Sequence, residues 1–167
     1  MFNQKLLAMK TLKILFILFI MLGFTLPAKS QGKQVERPMK GSFYATVIDD
    51  SNPLLEKLSI SGNATHTGSF TGTMYFDKSK IVLDGHVLKN ARTFGTIEAA
   101  NGDCIYFESY PLMILTGPGR SGLLSGKATF KGGTGRFTDC KGEIEQTGVF
   151  NMDNDYAMWT ADGWIKY

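Results

Sequence analysis

The sequence contains few of the side chains from which metal centres are built: two histidines and two cysteines among 167 residues. His66 and His86 have no metal-type spacing with each other or with Cys104 and Cys140, whereas a zinc site needs three or four convergent donors. A Gly-x-Ser-x-Gly elbow is also missing, so no serine is marked as an activated nucleophile. We therefore expect no metal, and the sequence offers no recognisable catalytic constellation.

No apolar run reaches the length of about 20 residues that a membrane-spanning helix needs. The strongest apolar stretch, residues 14–26, follows three lysines with no acidic residue and precedes Ala28-Lys29-Ser30. This order is typical of a secretory signal peptide, and an uncleaved membrane anchor is the alternative. We predict a signal peptide over residues 1–30 with cleavage between Ser30 and Gln31. The protein would then be periplasmic or extracellular, without a stable membrane anchor.

Positive charge is scarce once that segment is removed. The whole chain has a formal charge of +3, and removing Lys5, Lys10, Lys13 and Lys29 takes away four positive charges, which leaves −1. The remaining lysines and arginines are scattered singly among acidic residues and form no basic stripe that could follow a phosphate backbone. Nucleic acid is therefore not an expected partner.

Apolar and polar residues alternate through most of the chain from Gly41 to Tyr167, a period-two pattern that predicts half-buried strands. The residues that share one side of this pattern include Phe43, Ala45, Val47, Phe70, Gly72, Met74, Phe76, Ile144, Gly148, Phe150, Trp159, Ala161, Gly163 and Ile165. Only residues 52–58 allow a short helix. We predict an all-β domain over residues 41–167, a single closed antiparallel barrel of about eight strands, after a flexible leader at residues 31–40.

The Asn101-Gly102 pair is the clearest turn signal. Two strand-like segments flank it, and Asn-Gly between alternating segments predicts a two-residue type I′ hairpin. That register would place Ala99 opposite Cys104 and Glu98 opposite Ile105.

Two glycine-rich loops imitate nucleotide-binding motifs. Residues 117–122 match Gly-x-Gly-x-x-Gly literally, but a strand-like segment follows where a dinucleotide site needs a helix N-terminus. Residues 132–135 lack the Gly-Lys-Ser/Thr ending of a phosphate loop. We predict a hairpin loop at the first and no bound cofactor. At the second we predict a tight bend, with Phe137 tucked inward as a plug and Arg136 in a surface ion pair.

Cys104 and Cys140 are the two cysteines of the chain. In an exported protein an even pair favours a disulfide, whereas two buried free thiols are equally compatible with the sequence. Both alternatives stay open at this stage.

Four segments occur in a characteristic order: residues 62–70, 99–103, 126–137 and 162–167. With them the chain resembles the allene oxide cyclase and dirigent barrel superfamily, and in particular its small exported bacterial members. The resemblance implies an eight-stranded antiparallel barrel, and a homotrimer as in many plant members. The functional residues of the plant proteins have no position-by-position match here, so the resemblance does not imply their activities.

The main functional hypothesis is that the barrel binds a small hydrophobic or phenolic molecule, because the chain is rich in aromatic residues that can line a lumen. One alternative is a cyclase or isomerase acting on a lipid-derived intermediate, with Glu98 or Glu108 as the first acid–base candidates. Another is a purely structural or protein-interaction barrel. Asp103 is a further carboxylate that could serve a pocket, whereas Glu143 and Glu145 are interpreted as an outward, solvated face.

Overall fold

The computed structural model describes residues 34–117 and 119–167 of the chain. In these ranges the protein consists of eleven strands and one turn of 3-10 helix, Gly135–Phe137. The strands are β1 (Arg37–Asp49), β2 (Leu55–Ala64), β3 (Gly68–Asp77), β4 (Val82–Asp84), β5 (Val87–Lys89), β6 (Arg92–Ala99), β7 (Cys104–Ser109), β8 (Leu112–Leu115), β9 (Ser121–Gly133), β10 (Lys141–Asn151) and β11 (Tyr156–Lys166). The predicted signal peptide and its cleavage site between Ser30 and Gln31 lie outside the described residues. No helix within the described ranges has the length and hydropathy needed to cross a membrane.

Eight of the strands close into an antiparallel barrel. They follow the order β10-β11-β1-β2-β3-β6-β7-β9, and β9 pairs with β10 to complete the circle. Closure gives each of these strands two neighbours, which removes the free edges that an open sheet would present. The predicted all-β closed barrel of about eight strands is therefore confirmed.

The predicted alternation between inward and outward positions is also confirmed. Phe43 is 5% exposed, and its ring stacks on Trp159 at a centroid distance of 5.3 Å and meets Phe70 at 5.0 Å. These three residues come from β1, β11 and β3, so the contacts join nearby strands along the inner wall of the barrel. As expected for a small barrel, side chains fill most of the interior.

The barrel begins before the boundary predicted at Gly41. β1 starts at Arg37, and Met39, which pairs with Gly163 of β11, is 1% exposed. Met39 points inward like Phe43, so the strand pattern extends into residues 37–40, which the sequence predicts to be part of a flexible leader. The short helix allowed at residues 52–58 does not form, because β2 occupies the segment from Leu55.

Three short strands extend the sheet away from the barrel. β9 pairs with β7 along one half and with β8 along the other, and β5 and β4 continue outward from β8. The chain bends between β7 and β8 at Tyr110-Pro111, opposite Gly126. A Cβ atom at Gly126 would lie 3.0 Å from the Pro111 Cα, so the close approach at this bend favours glycine.

The hairpin at Asn101-Gly102 forms, but with a different register from the predicted one. Glu98 lies opposite Cys104, and Gly102 N–H donates to the Ala99 carbonyl at 2.9 Å. A type I′ turn needs positive φ at both central residues, and only Gly102, at φ 83°, has it. The turn is therefore a three-residue loop with a G1 bulge, and the predicted type I′ register is wrong by one residue.

The bend at residues 132–135 closes one end of the barrel as predicted. Phe137 is fully buried, and its ring meets the Tyr167 ring edge-on at 4.9 Å. Arg136 remains at the surface, where its Nε lies 3.7 Å from an Asp103 carboxylate oxygen. The predicted plug and surface ion pair are both confirmed.

Two further predictions about surface features are confirmed. Residues 119 and 120 lead directly into strand β9, which begins at Ser121, rather than into a helix. The Gly-x-Gly-x-x-Gly match is therefore a hairpin loop, of which Pro118 lies outside the described residues. Glu143 and Glu145 face outward and lie 2.7 and 3.7 Å from the ammonium group of Lys127.

Candidate functional site

The end of the barrel opposite Phe137 contains a cavity of about 90 Å³. Its lining comes from strands around the whole barrel and consists of Val47, Leu58, Met74, Phe76, Thr93, Phe107, Pro111, Met113, Leu124, Gln146, Phe150, Asp155, Tyr156, Ala157 and Trp159. Asp155 is exposed to solvent, so the cavity reaches the protein surface at the turn between β10 and β11.

The wall of the cavity is apolar because the strands contribute their inward positions there. Phe76, Phe107, Phe150 and Trp159 supply four aromatic rings from four different strands. Gly148 faces Trp159 in the register, and a Cβ atom there would lie 2.6 Å from the Trp159 Cβ. The absence of a side chain at Gly148 therefore makes room for the indole ring beside it.

A buried polar pair interrupts this apolar wall. Gln146 is 8% exposed, and its Nε2 donates a hydrogen bond to Oγ of Ser109, which is 1% exposed. No fully buried side-chain nitrogen or oxygen in the described part of the chain lacks a hydrogen-bond partner. Among the described residues the Gln146 Oε1 has no hydrogen-bond partner. Because Gln146 lines the cavity, this oxygen can accept a hydrogen bond from a molecule bound there. Thr93, also 8% exposed, adds a hydroxyl to the lining.

Asp155 and Tyr156 form the polar part of the mouth. Asp155 has a φ of 54°, a left-handed conformation that aspartate tolerates better than most residues. Its carbonyl accepts a hydrogen bond from Val47 N–H at 3.0 Å, which ties the turn to β1. The Tyr156 ring stacks on Tyr44 at 6.4 Å.

Neither of the predicted acid–base candidates lines this cavity. Glu98 is exposed. Glu108 accepts hydrogen bonds from Arg92 Nε at 2.8 Å and from the Tyr110 hydroxyl at 3.0 Å. These bonds hold the pKa of its carboxyl below the usual value, and the bond from Arg92 has the larger effect. Asp103, the third carboxylate considered for a pocket, instead holds Arg136 at the closed end.

His66 belongs to the closed end of the barrel. Its Nε2 lies 2.9 Å from the Pro38 carbonyl oxygen and its Nδ1 lies 3.2 Å from the Tyr167 hydroxyl. Because a carbonyl only accepts hydrogen bonds, Nε2 carries the proton and Nδ1 accepts from Tyr167 in the neutral ring. Among the described residues no group of three histidine, cysteine, aspartate or glutamate side chains is arranged to hold a metal ion.

Both cysteines are free thiols in the structure. Cys104 Sγ lies 3.7 Å from the Gly102 carbonyl oxygen, and Cys140 Sγ lies 3.4 Å from the Gly132 carbonyl oxygen. Burial raises the pKa of the Cys140 thiol, which keeps it in its less reactive protonated form. A disulfide between Cys104 and Cys140, one of the two alternatives that the sequence leaves open, stays a prediction.

Sequence reasoning missed the polar residues of the cavity, although one of them carried a signal. Gln146 shares the inward parity of Ile144, Gly148 and Phe150, and a polar residue at an inward position of a strand is informative. Asp155 carried no comparable signal, because aspartate is common in turns for conformational reasons alone.

Comparison of the chain with protein-family models, with curated proteins and with solved structures finds no match.

Proposed function

We propose that this protein is a binding module for one small, largely apolar molecule, hydrophobic or phenolic, held in the cavity at the open end of the barrel. The observation that carries the proposal is the buried Gln146 amide, which Ser109 holds in place and whose Oε1 is left for a ligand. An apolar pocket with a few placed polar groups is the usual form of a small-molecule site.

The size of the cavity limits the ligand. One water molecule needs about 10–15 Å³ of such space, so about 90 Å³ accommodates roughly six to nine non-hydrogen atoms. A single aromatic ring with a short substituent fits, whereas a long-chain fatty acid does not fit inside. The proposed ligand is therefore of phenol size.

The cavity favours binding over the cyclase or isomerase alternative. An acid–base mechanism of that type needs a carboxyl group in the lumen with a perturbed pKa. Within residues 34–117 and 119–167 no glutamate lines the cavity, and the one carboxylate of the lining, that of Asp155, lies at the exposed mouth.

Tryptophan fluorescence tests the proposal. Trp159 lines the cavity, whereas Trp164 lies on the outer face beside Lys166. In a Trp164→Phe background, phenol and toluene should each produce a saturable change in Trp159 emission. Ala157→Phe, which fills the cavity from its rim, should abolish the change.

The matched control is Thr71→Phe, which adds the same ring to an exposed position of β3 and should bind as the parent does. An emission that stays flat with both probes, or an Ala157→Phe variant that binds normally, would contradict the proposal. Native mass spectrometry of protein purified gently from its own host would then identify any molecule that remains bound.

We also propose that the protein is exported after removal of residues 1–30, and that it is related to the allene oxide cyclase and dirigent barrels. The first proposal rests on the tripartite pattern of residues 1–30, and the second on the four motif segments. N-terminal sequencing of protein from the host tests the first. A mature chain that begins at Gln31 is expected, and an intact Met1 would refute cleavage.

A further inference from the structure

The described part of the cavity lining has one formal charge, and it is negative. Among these residues Asp155 has the one carboxylate, and none is a lysine, an arginine or a histidine. A ligand that enters this mouth therefore meets a carboxylate with no cationic side chain in the lining to neutralise it.

The Asp155 carboxylate is also unoccupied by the protein itself. Within residues 34–117 and 119–167, no hydrogen bond or ion pair involves its side chain. Asp153, in the same turn, behaves differently, because it accepts from the backbone N–H of Arg120 at 3.0 Å and from its guanidinium Nε at 2.9 Å. Asp153 thus holds the turn to the loop that contains Arg120, whereas Asp155 lies at the cavity.

The turn tolerates aspartate at position 155 but does not require a charged residue there. Its φ of 54° lies in the left-handed region, which glycine adopts with less strain than aspartate and asparagine adopts as easily. Neither of these two residues carries a charge.

From these observations we infer that the ligand is a cation: a small amine whose ammonium group pairs with Asp155 at the mouth while its apolar or aromatic body fills the cavity. This inference rests on the proposed binding function and adds the charge of the ligand to it. A carboxylate ligand of the same size is disfavoured, because its charge would lie beside that of Asp155.

Three probes of similar shape test the inference by calorimetry on the full-length chain: 2-phenylethylamine, 2-phenylethanol and phenylacetate. An exposed ion pair should make the amine bind about 1.5- to 5-fold more tightly than the alcohol. Phenylacetate should bind most weakly. Raising the salt concentration to about 0.5 M should reduce the advantage of the amine, since salt screens exposed charges.

Asp155→Asn isolates the charge, because asparagine tolerates the same backbone conformation. The variant should bind amine and alcohol equally and bind the alcohol as the parent does. Asp50→Asn removes the same charge from an exposed position at the end of β1, outside the cavity lining, and should keep the preference for the amine. Asp155→Gly repeats the test with a residue that needs no backbone strain, should the asparagine variant fail to fold.

The outcomes separate the two proposals. Equal binding of amine and alcohol by the parent, or a preference for the amine that survives in Asp155→Asn, would overturn the inferred charge and leave the binding function standing. Failure of all three probes to bind would refute the binding function itself, and the inference with it.

Discussion

Truncation of Phe137 to alanine should destabilise the protein by about 3–5 kcal/mol, the usual cost of deleting a fully buried phenylalanine ring. Phe137 has no exposed surface, and its ring meets Tyr167 at 4.9 Å and lies 4.7 Å beneath the Arg136 guanidinium. Phe137→Leu keeps most of the apolar volume and loses mainly the ring contacts, so it should cost about 1–2 kcal/mol. The difference between the two variants measures the space that the plug fills.

Phe94 provides a matched control on the outer face of the barrel. Its ring has the same two kinds of neighbour, Tyr75 at 5.4 Å and the Arg92 guanidinium at 4.6 Å, but it is half-exposed. Phe94→Ala should therefore cost about 1 kcal/mol.

Urea unfolding followed by circular dichroism measures these costs. With a slope of about 2 kcal/mol per molar urea, the midpoint should fall by about 2 M for Phe137→Ala and about 0.5 M for Phe94→Ala. Equal shifts for the two alanine variants would refute the conclusion that Phe137 closes the core.

Two further predictions concern stability. Arg92 lowers the pKa of Glu108, so the carboxylate stabilises the fold above its unfolded pKa of about 4.5, and this contribution is lost as the pH falls through the lower folded pKa. Glu108→Gln should therefore be less stable than the parent at pH 7, and urea midpoints of the two should converge near pH 2. Gly72→Ala should destabilise by about 3 kcal/mol or more, because the added Cβ would lie 2.0 Å from the Thr96 carbonyl oxygen. Gly117→Ala, where nothing lies within 4 Å, should unfold at the same urea concentration as the parent.

The inward and outward positions of the barrel strands could be predicted because the side-chain period of a strand is two residues regardless of its partners. Phe43, Met74 and Trp159 were placed inside on this basis alone and are buried. The type of a turn is harder to predict from the sequence than the inward positions of a strand. Asn-Gly suits both a type I′ turn and the loop with a G1 bulge, and the choice depends on the φ of Asn101, which the sequence does not reveal.

The extension of β4, β5 and β8 could not be predicted for a related reason. Strands of three or four residues are too short to show a period, and each depends on a pairing partner elsewhere in the chain, as Leu88 of β5 does on Met113 of β8. β5 ends just before a bend at Asn90, which has a φ of 63°, and β8 begins just after the bend at Tyr110-Pro111. The local sequence predicts loops at these bends. The residues next to the bends form strands only because they pair with distant parts of the chain.

The hydrogen-bonded pair Gln146 and Ser109 inside the barrel points most directly to a ligand. Replacing two hydrogen-bonded buried groups with apolar groups of the same shape is often neutral or stabilising, so stability alone gives no reason to keep an amide beside Phe150 and Trp159. At the closed end, by contrast, the interior is filled by an apolar side chain, the fully buried Phe137. At the open end the same barrel leaves about 90 Å³ unfilled, and the oxygen of the lining residue Gln146 has no hydrogen-bond partner among the described residues. A cavity built for a molecule that carries both apolar surface and a hydrogen-bonding group accounts for both features at once.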